Sequence, residues 1–176
     1  MRLQLPLSPA MNIVLVGMAG AGKSTVGVVL AKQAARGFVD SDLLIEVREG
    51  KLLQTILDES DHLNLRRIER EVLLGLQLQN HVIATGGSAV YSEAAMGHLR
   101  ETGAVVFLDV ELDEIIQRVS NVDNRGIACR PGLTLREIYR ERRPLYLRWA
   151  DIRVDCGRLG HEAVAARILK TLGLSV

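Results

Sequence analysis

The stretch Gly17-Met18-Ala19-Gly20-Ala21-Gly22-Lys23-Ser24-Thr25 restricts this chain more than any other, because it directly follows the apolar run Ile13-Val14-Leu15-Val16. It matches G-x-x-x-x-G-K-[ST] from Gly17 to Ser24, between a buried strand and a helix, the context of a phosphate-binding loop. Glycines at 20 and 22 let successive backbone N–H groups curl round phosphate oxygens with no Cβ in the way. The N-terminus of the following helix adds partial positive charge. Gly20, Ala21, Gly22, Lys23, Ser24 and Thr25 are therefore the expected nucleotide contacts, with Lys23 on the β- and γ-phosphates and the Ser24 hydroxyl on Mg²⁺. A turn that only joins strand to helix has no use for Gly-Lys-Ser.

The rest of the chain alternates in the same way. Val26 to Ala35 has a helical face of Val26, Val29, Leu30 and Ala34, with Gly37 as its stop. Phe38-Val39-Asp40-Ser41-Asp42 is a short strand whose two carboxylates project to one side of extended chain, at the sheet edge where ligands collect. Two neighbouring carboxylates repel, a cost that Mg²⁺ or a substrate hydroxyl relieves; a pair of helix-capping aspartates is the plain alternative. Residues 43–79 are helical, with breaks at Gly50 and at Ser60-Asp61, and form a helical insertion suited to an acceptor site. Within it Arg66 and Arg70 share a face, a pattern that also fits a solvated surface.

Val82-Ile83-Ala84-Thr85 is the third strand and ends in Gly86-Gly87-Ser88, either an anion- or hydroxyl-binding turn or an ordinary one. A helix from Tyr91 to Arg100 leads to a fourth strand, Ala104 to Asp109, whose unbroken apolar run is typical of parallel sheets. A helix from Glu111 to Val119 precedes a polar segment, Ser120 to Ala128, and then Arg130-Pro131-Gly132-Leu133. An arginine-rich helix from Leu135 to Arg143 is interrupted at Pro144, and Ile152 to Asp155 makes a fifth strand before a closing helix, Glu162 to Leu172.

Net charge narrows the class of function. Lys+Arg 22 against Asp+Glu 21 excludes a broad nucleic-acid footprint, and 3% aromatic content is too little for a base-stacking platform. Cys129 and Cys156 lack C-x-x-C spacing, the four histidines show no ligand pattern, and a reducing cytoplasm is the expected compartment. Residues 1–10 are too short and too interrupted by proline for a signal sequence, no run approaches a membrane span, and a loose arm is expected there. At 176 residues and 48% hydrophobic content, one domain is expected.

From Asn12 to Leu172 the sequence resembles the shikimate kinase family, of the nucleoside-monophosphate-kinase-like P-loop fold. The resemblance rests on GMAGAGKST, Phe38-x-Asp40-x-Asp42, Arg66-x-x-Glu69, Gly86-Gly87, Arg130-Pro131 and Arg142-x-Pro144-Leu145-Tyr146, in that order. It implies a five-stranded parallel sheet of order 2-3-1-4-5, an insertion over 43–80 for the acceptor and a lid over 120–133. It also implies ATP as co-substrate with Mg²⁺, and a monomer acting on a small hydroxylated acid, with neither nucleic acid nor membrane as partner. Asp42 would contact the acceptor hydroxyls, Asp40 lie near Mg²⁺, Arg66 and Arg142 grip a carboxylate, Gly86 and Gly87 line the acceptor, and Arg130 close over the phosphates.

This chain departs from that pattern around the acceptor. Ser88 replaces a third glycine, which costs little only if its φ is negative. Leu57 and Leu65 stand where aromatic rings are usual, and Gly132 replaces a lid leucine. Either Arg118 or Arg125 would stack on adenine. Shikimate is the expected acceptor; a gluconate-like or amino-acid-like acid, or a regulatory nucleotide-binding module, are the alternatives.

Overall fold

In the computed structural model, residues 7–120 and 126–174 are described. A sheet of five parallel strands lies at the centre, in the order β2-β3-β1-β4-β5. The strands are β1 (Asn12–Val16), β2 (Gly37–Asp40), β3 (His81–Ala84), β4 (Gly103–Asp109) and β5 (Ile152–Asp155). Every residue of β1 and β4 is buried, as a strand covered on both faces requires. Helices α1 (Lys23–Gln33), α5 (Glu93–Thr102), α6 (Leu112–Ser120), α7 (Leu135–Trp149) and α8 (His161–Thr171) accompany the sheet. Between β2 and β3 the chain forms α2 (Ser41–Glu49), α3 (Leu53–Glu59) and α4 (His62–Leu74), around a small core of Ile45, Ile56, Leu65, Ile68 and Ala128 separate from the main one.

Several boundaries differ from the sequence reading for local reasons. α1 begins at Lys23, three residues early, because Gly22 takes the left-handed conformation (φ 90°) and turns the chain into the helix. Ala35 (φ 50°), not Gly37, closes it, and Gly37 is already β2. The insertion breaks where expected, yet α4 ends at Leu74 rather than near Gln79. A 3₁₀ turn at Ala89–Tyr91 precedes α5. Pro144 does not interrupt α7, which runs unbroken to Trp149. The exposed proline forfeits one backbone bond, and the fully buried Arg142 and Tyr146 on either side hold the helix in place. The arm expected over residues 1–10 is not loose at Leu7, which is buried and whose N–H donates to the Leu172 carbonyl at 3.0 Å. Among the described residues no helix is long and apolar enough to cross a membrane.

Candidate active site

A cavity of about 1010 Å³ runs along the carboxyl edge of the sheet from the phosphate loop to α7. At its nucleotide end, α1 has neither a side-chain cap nor an acid in its first turn, so its leading N–H groups keep their positive end for an anion. Lys23 is folded back into the loop, donating to the Gly17 and Met18 carbonyls at 2.9 Å each. Burial lowers its ammonium to about 8, against the pull of Asp42 and then Asp40. Gly20, Gly22, Ser24 and Thr25 line the cavity, and Ser24 and Thr25 are exposed. Ala21, buried beneath the loop, holds its turn by donating its N–H to the Met18 carbonyl. Arg118 also lines this end and donates to the Gly20 carbonyl at 3.2 Å, while Arg125 lies outside the described residues.

Asp40 and Asp42 do not project together from a strand. Asp40 is the last residue of β2 and the N-cap of α2, accepting the Asp42 N–H at 3.0 Å, and Asp42 sits in the helix's first turn. The helix starts earlier than periodicity suggests because that cap satisfies one of its free N–H groups. Asp42 faces the cavity, and burial raises its carboxyl to about 6 despite Lys23. Asp40 is buried and is not part of the cavity lining.

Gly86 follows β3 and donates its N–H to the Ser41 hydroxyl at 2.9 Å, tying the two strand ends together. A Cβ on Gly86 would overlap Glu69 Oε1 and stand 2.6 Å from Asp42 Oδ1, so a side chain there would push both carboxyls out of their places. The Gly87 carbonyl accepts from Tyr146 at 2.7 Å. Ser88 has φ −98°, so its side chain brings no backbone strain, and its hydroxyl donates to Glu69 Oε2.

The two arginines expected to hold a carboxylate converge, though not on the same wall. Arg142, only 1% exposed, lines the cavity, whereas Arg66 lines a smaller one of about 440 Å³ behind it, its guanidinium lying 3.7 Å over the Tyr91 ring. Both donate to one backbone oxygen, the Ala128 carbonyl, at 3.2 Å from Arg66 and 2.7 Å from Arg142. That carbonyl oxygen is the single acceptor both guanidiniums share. Arg130 stands away from the cavity: its side chain is 67% exposed and it meets Glu141 at 3.4 Å. Of the two leucines in aromatic positions, Leu65 lines the cavity and Leu57 packs on the insertion's core.

Sequence reasoning placed Glu69 in a motif but not in the site. Burial raises its carboxyl to about 7, with Asp42 adding to the shift and Ser88 opposing it. Its only early signal was its place three residues after Arg66. Tyr91, Ala128 and His161 gave none, since each reaches the site through folding alone; His161, at the head of α8, lies beside Gly22.

Known proteins share this arrangement. A shikimate kinase from Thiobacillus denitrificans is 41% identical over 150 residues, 84% of this chain and 82% of that protein. One from Symbiobacterium thermophilum is 37% identical over 170 residues, 92% and 96% of the two chains. The solved shikimate kinase from Acinetobacter baumannii, in complex with shikimate, has TM-score 0.82 and 32% identity, covering 93% of each chain. Sheet order, phosphate loop and helical acceptor wall define a P-loop kinase for small molecules. A family model described as shikimate kinase matches residues 19–173, and the chain belongs to that family of ATP-using kinases.

Proposed function

We propose that the protein transfers the γ-phosphoryl group of ATP to a hydroxyl of shikimate. The observation that carries the acid part of this reading is the meeting of Arg66 and Arg142, from two different helices, on a single acceptor oxygen. Two guanidiniums aimed at one point suit a carboxylate, each offering a planar fork of donors. The acceptor would take the place of the Ala128 carbonyl, so entry of the acid moves residues 126–128. The bound ligand of the Acinetobacter baumannii structure supports the choice of acid.

ATP would lie with its phosphates on the α1 N-terminus, Arg118 near the loop and His161 beside it. Lys23 then exchanges its two carbonyl partners for phosphate oxygens and follows the charge of the transferring group. Asp42, ionised at neutral pH, orients the acceptor hydroxyl and takes its proton. Arg130 comes over the phosphates when residues 126–133 close, with Gly126 (φ 36°) and Gly132 (φ 84°) as hinges.

The donor set fits Mg²⁺. Such an ion keeps several waters and takes few protein ligands beside phosphate oxygens, and here the exposed Ser24 hydroxyl would hold it directly, with the Asp40 carboxylate, buried behind the cavity lining, reaching it through a water. When bound, it neutralises charge on the phosphates.

The test is ADP release from purified protein with ATP, Mg²⁺ and a panel of hydroxy-acids. Shikimate should turn over with a KM in the ordinary range, roughly 1 μM–1 mM. Absence of turnover at tens of millimolar would overturn it in favour of a gluconate-like or amino-acid-like acid.

A further inference from the structure

Glu69 is buried in the middle of the acceptor region, and only one of its two oxygens is engaged. Oε2 accepts the Ser88 hydroxyl, while Oε1 is buried without a hydrogen-bond partner among the described residues. Oε1 faces the space beside Gly86 that Asp42 Oδ1 also borders. Glu69 and Ser88 line both the main cavity and the smaller one behind it, so the pair forms the partition between them. A buried carboxylate oxygen left unpaired is expensive, and a hydroxyl donor in the main cavity would satisfy it.

We propose that Ser88 is a positioning residue: its hydroxyl fixes the Glu69 carboxyl so that Oε1 anchors a second hydroxyl of the acceptor, next to the one that Asp42 presents for transfer. The proposal rests on the phosphotransferase reading above and adds a preference for acids carrying adjacent hydroxyls. Ser88 acts only through Glu69. Without the Ser88 bond the carboxyl is free to rotate toward the cationic Arg142, and the orphan oxygen leaves the chamber. Asp42 on α2, Lys23 on α1 and Arg142 on α7 are the charged groups that face it from neighbouring elements, and Arg66 is one turn away on its own helix.

Steady-state kinetics with shikimate and with single-deoxy analogues that keep the phosphorylated hydroxyl test this directly. Ser88→Ala should raise the KM for shikimate about tenfold, while kcat and the KM for ATP stay within about twofold. The same variant should leave the KM of one analogue unchanged, the one lacking the anchored hydroxyl. Ser88→Thr keeps the donor and should stay close to the parent. An equal rise for shikimate and every analogue, or no rise at all, overturns the anchor. If the parent protein does not phosphorylate shikimate, the functional reading fails separately. The ¹³C titration of the Glu69 carboxyl in ligand-free protein then decides: its midpoint should move up in Ser88→Ala, and an unmoved midpoint overturns the positioning role.

Discussion

The two ends of the cavity handle their polar groups in opposite ways. At the nucleotide end the polar groups are satisfied by nearby backbone: Lys23 by the Gly17 and Met18 carbonyls, Arg118 by the Gly20 carbonyl, the loop by its own turn. At the acceptor end they come from distant helices and remain unresolved, with Asp42 and Glu69 close to each other and both Glu69 Oε1 and Arg66 Nε buried without partners among the described residues. One end is built chiefly by nine consecutive residues, with Arg118 of α6 and His161 of α8 added at its margin. The other exists only when α2, α4, the β3 turn and α7 come together, and its unpaired polar atoms and raised carboxyls are what the proposed acceptor would satisfy.

The largest effect should come from the local end. Lys23→Met should lower turnover by about 10³-fold with every acceptor, because the charge that follows the transferring group is lost. A mutant within a few-fold of the parent in ADP release would erase the distinction between the two ends. Next come the carboxylates of β2 and α2. Asp42→Asn should lower kcat by about 10²-fold while sparing ATP binding, and Asp40→Asn should instead raise the Mg²⁺ requirement. Identical Mg²⁺ dependence in both mutants would contradict their different places in the structure. Arg66→Ala, smaller still, should raise the acceptor KM about tenfold and leave the KM for ATP unchanged; a change in the latter would mean the ends are not separable.

The smallest effect is on stability. Burial raises the folded pKa of Glu69 from 4.5 to about 7, so its favourable contribution is complete below about 4.5 and is lost as pH rises through 7. Glu69→Gln carries no charge at any pH. Relative to the parent it should therefore gain on the order of 5 °C in Tm at pH 8 and little at pH 4.5, read by calorimetry. Equal gains at both pH values would show that the carboxyl costs nothing in the folded protein.

This contrast also explains what could be read from the sequence. The phosphate loop and the five strands were legible because each is encoded by contiguous residues, an apolar run, a glycine turn or a helix face, whereas the order of the strands came from the family resemblance. The caps were less so. Asp40 and Asp42 look like strand neighbours until the Asp40 side chain is seen to open α2, and Pro144 looks like a helix end until Arg142 and Tyr146 are seen buried around it. Ala128 and Tyr91 were invisible, since a backbone carbonyl and a stacking ring carry no pattern until α4 and α7 have met. Arg130 matched its motif, yet its described position is beside Glu141, so the closure proposed for it would need motion that no residue pattern encodes.

The Ala128 carbonyl between Arg66 and Arg142 has a consequence for affinity. On the proposed reading, acid binding there would be an exchange of one oxygen for another, so its strength would be a difference, set as much by how firmly the chain holds its own carbonyl as by the pull of the guanidiniums. The tie of the Gly126 N–H to Gln54 and the packing of Ala128 against Ile45 and Leu65 then act as a counterweight on the balance. Selection can trim that counterweight one side chain at a time, tuning the protein to the level of acid in its surroundings while both arginines stay as they are.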